Sequence, residues 1–138
     1  MDTKKFLIGT VVGGIVLFFL GFIFYGIALA GFFESNMGSA TGVSRGDDLI
    51  FWALILGNLS AAALLTYVFL LWAGINSFAA GMKGGFVIGL FWALSVDMIL
   101  YATSNMMNLA AVFADVIVYT VMMTITGGVV GWVVGMGK

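Results

Sequence analysis

Apolar and polar positions along the chain sort into four long greasy runs separated by short polar segments. The first, residues 6–33, reads FLIGTVVGGIVLFFLGFIFYGIALAGFF and gives way to the small, polar ESNMGSATGVSRGDD. The second, residues 49–73, reads LIFWALILGNLSAAALLTYVFLLWA and ends in GINSFAAGMKGG, where the glycines and Asn76 predict a turn. A third run, residues 86–104, is separated by NMMN from a fourth, residues 109–134. A hydrocarbon core about 30 Å thick needs about 20 mainly apolar residues at a helical rise of about 1.5 Å each, and the four runs meet that length. The pattern predicts an all-α membrane protein, one integral domain over residues 1–138, built as a four-transmembrane-helix bundle.

Composition sharpens the class. Hydrophobic residues make up 63% of the 138 and charged residues only 8%, which lies outside the range of soluble globular domains. Only five Lys and Arg are present and the net charge is -1, so the clustered cations that grip a phosphate backbone are missing and nucleic acid is excluded as a partner. Cysteine and histidine are both absent. That removes disulfides, thiolate chemistry and the commonest metal and proton-shuttle ligand, and no cofactor is expected. Proline is absent too, so unbroken spans are expected.

Basic residues near a span resist translocation and mark the cytoplasmic side. Lys4, Lys5, Lys83 and Lys138 fall on one side of the four-span arrangement, whereas Arg45 shares the opposite loop with Glu34, Asp47 and Asp48. Both termini are expected in the cytoplasm. Lys4-Lys5, the apolar run and ALA at 28–30 together resemble a secretory signal, but the run exceeds the roughly 7 to 15 residues of a usual signal core, so a retained span is the expectation.

Lipid tails give helices no hydrophobic reason to associate, which leaves close backbone approach at small residues and interhelical hydrogen bonds. In GGVVGWVVG, Gly127, Gly131 and Gly135 recur every four residues along one face of the last span, and Gly9 with Gly13 forms a similar pair in the first. Packing within the bundle and a homo-oligomer contact are both open to such seams. Trp52 and Trp72, near the two ends of the second span, suit interfacial anchors. FWAL recurs at Phe51 and Phe91 but begins spans of opposite direction, so no internal duplication is expected.

Against this background DMILY, residues 97–101, and its echo DVIVY, residues 115–119, stand out. Asp97 lies about seven residues from the outer end of the third span and Asp115 about six from the outer start of the fourth, which puts both on the order of 10 Å below that surface. Tyr25 and Asn58 fall at a similar depth. Residues four apart share a helix face, so Tyr101 stands one turn outward from Asp97 and Tyr119 one turn inward from Asp115. The expected site is therefore a polar layer of Tyr25, Asn58, Asp97, Tyr101, Asp115 and Tyr119. A charged carboxylate facing lipid costs several kcal/mol, so the acids should face other helices or water. Two acids in one dry site cannot both ionise comfortably; one would hold a proton, and the tyrosines could donate to the other. Ion binding and simple interhelical bridging both fit.

Other candidates carry less. Glu34, Asp47 and Asp48 could offer oxygens to a divalent ion but match no dedicated calcium loop, and no metal site is expected. The tripeptide in SRGDD means little at this length. The methionine pairs Met106-Met107 and Met122-Met123 are better explained by adaptable packing than by soft-metal binding. Ser60 and Ser95 have no histidine to activate them, so no catalytic residue is assigned and an enzyme is not expected.

Two stretches, FFLGFIFYGIALAGFFESNMG and FADVIVYTVMMTITGGVVGW, resemble a family of small, uncharacterised four-span bacterial membrane proteins catalogued as a domain of unknown function. The family's Trp-Tyr and Pro in the first motif are replaced here by Phe24, Tyr25 and Gly26. The resemblance implies the four-span fold, a bacterial cytoplasmic (inner) membrane and no cofactor, and leaves the activity open. Small multidrug exporters would place a glutamate in the first span, and quinone-linked thiol oxidases require cysteines; this chain has neither. The functional expectation is a small non-catalytic membrane protein that acts by association in the bilayer, as a homo-oligomer or an accessory subunit of a larger complex. The alternative is a proton- or cation-linked channel or carrier for a small solute that uses Asp97 and Asp115.

Overall fold

A computed structural model describes residues 1–137; Lys138, one of the four lysines on the predicted inner side, lies outside them. The chain forms α1 (Thr3–Gly21), α2 (Ala30–Ser35), α3 (Phe51–Val68), α4 (Phe78–Thr103) and α5 (Leu109–Gly135). Two of these run on into wider π-helical turns, α1 through Phe22–Ala28 and α3 through Phe69–Ala73. Four continuous helical stretches, Thr3–Ala28, Phe51–Ala73, Phe78–Thr103 and Leu109–Gly135, are long and apolar enough to cross a membrane. The protein is an all-α four-helix bundle, and the even number of spans returns both termini to one side.

The first span departs from the unbroken helix expected over residues 6–33. Beyond Gly21 the backbone bonding widens, the Leu29 N–H reaching back five residues to the Phe24 carbonyl at 2.9 Å. Leu29 itself (φ -118°, ψ 8°) leaves the helical region, and α2 starts afresh after it. A π-turn inserts an extra residue without any proline, which is why the absence of proline did not guarantee a straight span.

The third span begins at Phe78, eight residues before the expected start at 86. The turn is confined to Gly74, which sits in the left-handed region (φ 60°), and the residues up to Ser77, whose hydroxyl caps α4 by accepting from the Ala80 N–H at 3.3 Å. The glycines of GMKGG belong to the helix because they are needed for contact, not for turning. The buried residues of α4 are Gly81, Gly85, Gly89, Ala93 and Asp97, a stripe with a step of four. It lies against Gly127 and Gly131 of α5 so closely that a methyl on Gly81 would run into the Gly127 carbonyl, and one on Gly85 into that of Met123. Gly135 backs onto the Asn76 carbonyl in the same way. Small residues bring the two backbones together, and dispersion then supplies what hydrophobic exclusion cannot supply in lipid.

α5 is the central helix. It packs along α4 on one side and α1 on the other, while α3 packs chiefly on α1. α3 and α4 barely meet, so the bundle is an incomplete ring in the order α4, α5, α1, α3, open between its two ends. Leu17, Leu65, Phe69, Met122 and Val130 form the centre of the core, and most of the remaining apolar side chains point outward, as a bilayer solvent permits.

On the outer side two loops fasten together. Met37 and Met107 form an antiparallel bridge, the Gly38 N–H donates to Met106 and the Ala40 N–H to Asn105, at 3.0 and 2.9 Å. The Asn108 amide donates to the Asn36 side chain at 3.0 Å, while the Asn108 oxygen caps α5 through the Ala111 N–H. Gly38 is required here, since any side chain would collide with the Asn105 carbonyl. The clasp ties the segment after α1 to the α4–α5 hairpin.

Candidate functional site

Asp97 ends the small-residue stripe of α4, and its position follows from the stripe: the step of four that buries Gly81 to Ala93 carries the next residue into the same contact. It is 5% exposed. Asp97 lies six positions before the end of α4 at Thr103, and Asp115 six positions after the start of α5 at Leu109, so both acids sit about 9 Å below the clasp. The glycine seam sets the register of α4 on α5, Gly85 against Met123 and Gly89 against Thr120, and so brings the two acids to one level of the same seam. Tyr25 approaches from the opposite side, its hydroxyl donating to Asp115 Oδ1 at 2.6 Å. That short bond depends on the π-turn, within which Tyr25 lies. The ring of Tyr25 packs at 5.5 Å against Phe33 of α2, which roofs it from the outer side.

Asp97 Oδ2 is buried and finds no hydrogen-bond partner. Two carboxylates cannot hydrogen-bond each other without a proton between them, and a buried carboxyl oxygen without a partner calls for a proton or a cation.

Tyr119, one turn inward of Asp115, lies within electrostatic reach of that acid and packs against the core. The other expected members of the layer stand apart. Tyr101 is exposed on the outward-facing side of α4, because the stripe rotates away from a strict four-residue step by its last turn. Asn58 spends its amide on the Leu54 carbonyl of its own helix at 2.8 Å. Toward the inner side no polar track continues from Thr66 and Tyr67 of the second span: the Thr66 hydroxyl bonds the Ala62 carbonyl at 2.7 Å, and Tyr67 packs against Trp72 at 5.5 Å. Leu17, Leu65 and Met122 fill the space below the acids.

A second feature lies apart from the acids, against the small-residue stretch GNLSAAA of the second span. Between α3 and α4 a cleft of about 340 Å³ is lined by Gly57, Ser60, Ala61, Ile88, Trp92 and Tyr119, among others. A neighbouring cleft of about 290 Å³ shares Gly57, Ala61 and Tyr119 and adds Asn58. These residues belong to the middle turns of their helices, so the cleft opens sideways into the hydrocarbon layer. Neither aspartate lines it; Tyr119 is the link between cleft and acid pair. Among the described residues no group of three or more acidic side chains could hold a metal ion.

In comparisons with protein families, curated proteins and solved structures, no family model, protein or structure matches this chain.

Proposed function

We propose that this protein is a non-catalytic integral membrane protein, resident in a bacterial cytoplasmic membrane, that acts by association within the bilayer as a homo-oligomer or an accessory subunit. The observation that supports this reading is the open side of the bundle: α3 and α4 leave a mid-depth cleft of about 340 Å³ whose α3 wall starts with the small residues Gly57, Ser60 and Ala61 and continues with Leu64 and Leu65. Small side chains on a lipid-facing groove suit the close approach of another helix, the usual basis of helix association in membranes. Gly57 has no neighbour within 4 Å of where a side chain would begin, so it is free of any role in the fold. The test is the size of the protein in mild detergent. The wild type should migrate as a species larger than one chain, and Gly57→Leu should reduce it to the monomer without lowering its resistance to unfolding. A wild-type monomer that co-purifies with nothing overturns the reading.

The second reading, a proton- or cation-linked channel or carrier for a small solute, is favoured by one observation, the π-turn that interrupts the first span at Tyr25. Interrupted helices at mid-membrane sites are common in carriers. The apolar plug of Leu17, Leu65 and Met122 requires any such path to open by rearrangement. Proteoliposome flux measured across pH tests it: transport that persists unchanged in the double variant Asp97→Asn, Asp115→Asn removes the acids from any mechanism.

A further inference from the structure

We infer that Asp97 and Asp115, with the Tyr25 hydroxyl, form a binding site for one small monovalent cation, and that its occupant beneath the closed outer clasp is a proton. The inference rests on neither functional reading, because the contact between the acids needs one positive charge whether the spans are merely held together or also carry an ion.

Geometry supplies the argument. The register that sets Gly81 against Gly127, Gly85 against Met123 and Gly89 against Thr120 carries Asp97, the last residue of the same buried stripe, to the turn of α5 that holds Asp115, and Asp97 Oδ2 is buried without a partner. Two negative charges brought side by side inside a protein repel strongly, and more strongly the drier the site. Among the described residues no cationic side chain relieves this. Lys83 lies fourteen residues down α4, about 21 Å along the helix axis, and Arg45 is exposed in the outer loop. The titratable groups that face the pair are Tyr25 from the π-turn and Tyr119 from α5; Glu34 of α2 is exposed, and α3 offers only Asn58, already bonded to its own helix. Tyr25 donates to Asp115, so it steadies a charge on that residue and leaves the orphan oxygen of Asp97 as the place for the added cation.

The donor set separates the possible occupants. A proton needs only the two carboxyl oxygens that already meet, and with it Asp97 becomes the donor that its unpartnered oxygen lacks. Sodium binds through a shell of several oxygens, and two carboxyls with one phenol supply a poor one unless carbonyls of the π-turn join. Access is set by the roof, since Phe33 covers Tyr25 and the Asn36–Asn108 clasp ties that roof to the start of α5.

Infrared spectroscopy of the full chain in lipid nanodiscs tests the site. In choline chloride at neutral pH the wild type should show the C=O stretch of one protonated carboxyl, displaced in D₂O. Exchange of choline for sodium should leave it in place; its loss in sodium would show the same one-cation site filled by sodium. Asp97→Asn with Asp115→Asn should abolish the band, and Tyr25→Phe, which keeps both acids, should shift it. No protonated-carboxyl band in choline chloride, or one that both variants leave unaltered, overturns the inference.

Discussion

Tyr25 joins α1 to α5 through a single part-buried 2.6 Å hydrogen bond to Asp115. Hydrogen bonds between membrane helices are worth about 0.6 kcal/mol on average and up to about 1.7, and bonds to ionised groups lie at the strong end. Tyr25→Phe should therefore lower the free energy of unfolding by about 1–2 kcal/mol, read from denaturation in mixed SDS micelles. Combined with Asp115→Asn the loss should fall well short of additive, because both changes remove the same contact. Tyr101→Phe is the control: its side chain is exposed, and the variant should unfold like the wild type. At this scale the sequence marks residues more readily than contacts, for a physical reason. Rarity of an acid in lipid marks Asp97 and Asp115 unaided, and a tyrosine four residues away shares a helix face. A shared face does not ensure a shared contact, and Tyr101 turns outward while Tyr25, ninety residues from Asp115, reaches the acid.

The glycines of α4 and α5 decide the element scale. Gly85 faces the Met123 carbonyl with no room for a methyl group, whereas Gly57 on α3 faces open space. Gly85→Ala should push α4 from α5 and cost about 1–3 kcal/mol, the usual penalty of overpacking. Gly57→Ala should leave stability unchanged or raise it by up to about 1 kcal/mol, since alanine is the better helix former. The opposed signs, measured by the same unfolding assay, distinguish a packing glycine from one that only lines a groove. The α5 seam of Gly127, Gly131 and Gly135 was legible from its spacing. Its partner stripe on α4 was not, because glycine signals both a turn and a close helix contact, and GMKGG follows directly on a real turn at Gly74. Nor was the π-turn at Phe22–Ala28 legible: it depends on how α1 meets α5 and α2, and no residue type specifies it.

For the whole molecule, four spans place both termini on one side and the clasp on the other. The chain has no cysteine, so a single introduced thiol reports topology without background. A cysteine in place of Ser44, in the loop between α2 and α3, should react with a membrane-impermeant maleimide in intact cells, and one in place of Thr3 should react only after the membrane is opened. Labelling of both from outside would contradict a four-span arrangement with cytoplasmic termini. The incomplete ring belongs to this scale too. α4 is drawn so tightly onto α5, and α3 onto α1, that nothing is left to draw α3 and α4 together; the lateral cleft is a consequence of two strong pairings.

Length, apolarity and the absence of interrupting charges were enough to determine the all-α class, the number of spans and the presence of two acids at one level, because the bilayer imposes those limits on any chain. Tertiary structure alone decided which polar groups meet. The stripe of α4 presses Asp97 onto α5, the π-turn carries Tyr25 to Asp115, and the sparse contact between α3 and α4 leaves the cleft open. These depend on relative rotation and spacing of helices distant in sequence, and in lipid that is set by fit between surfaces, which no periodicity along one helix records.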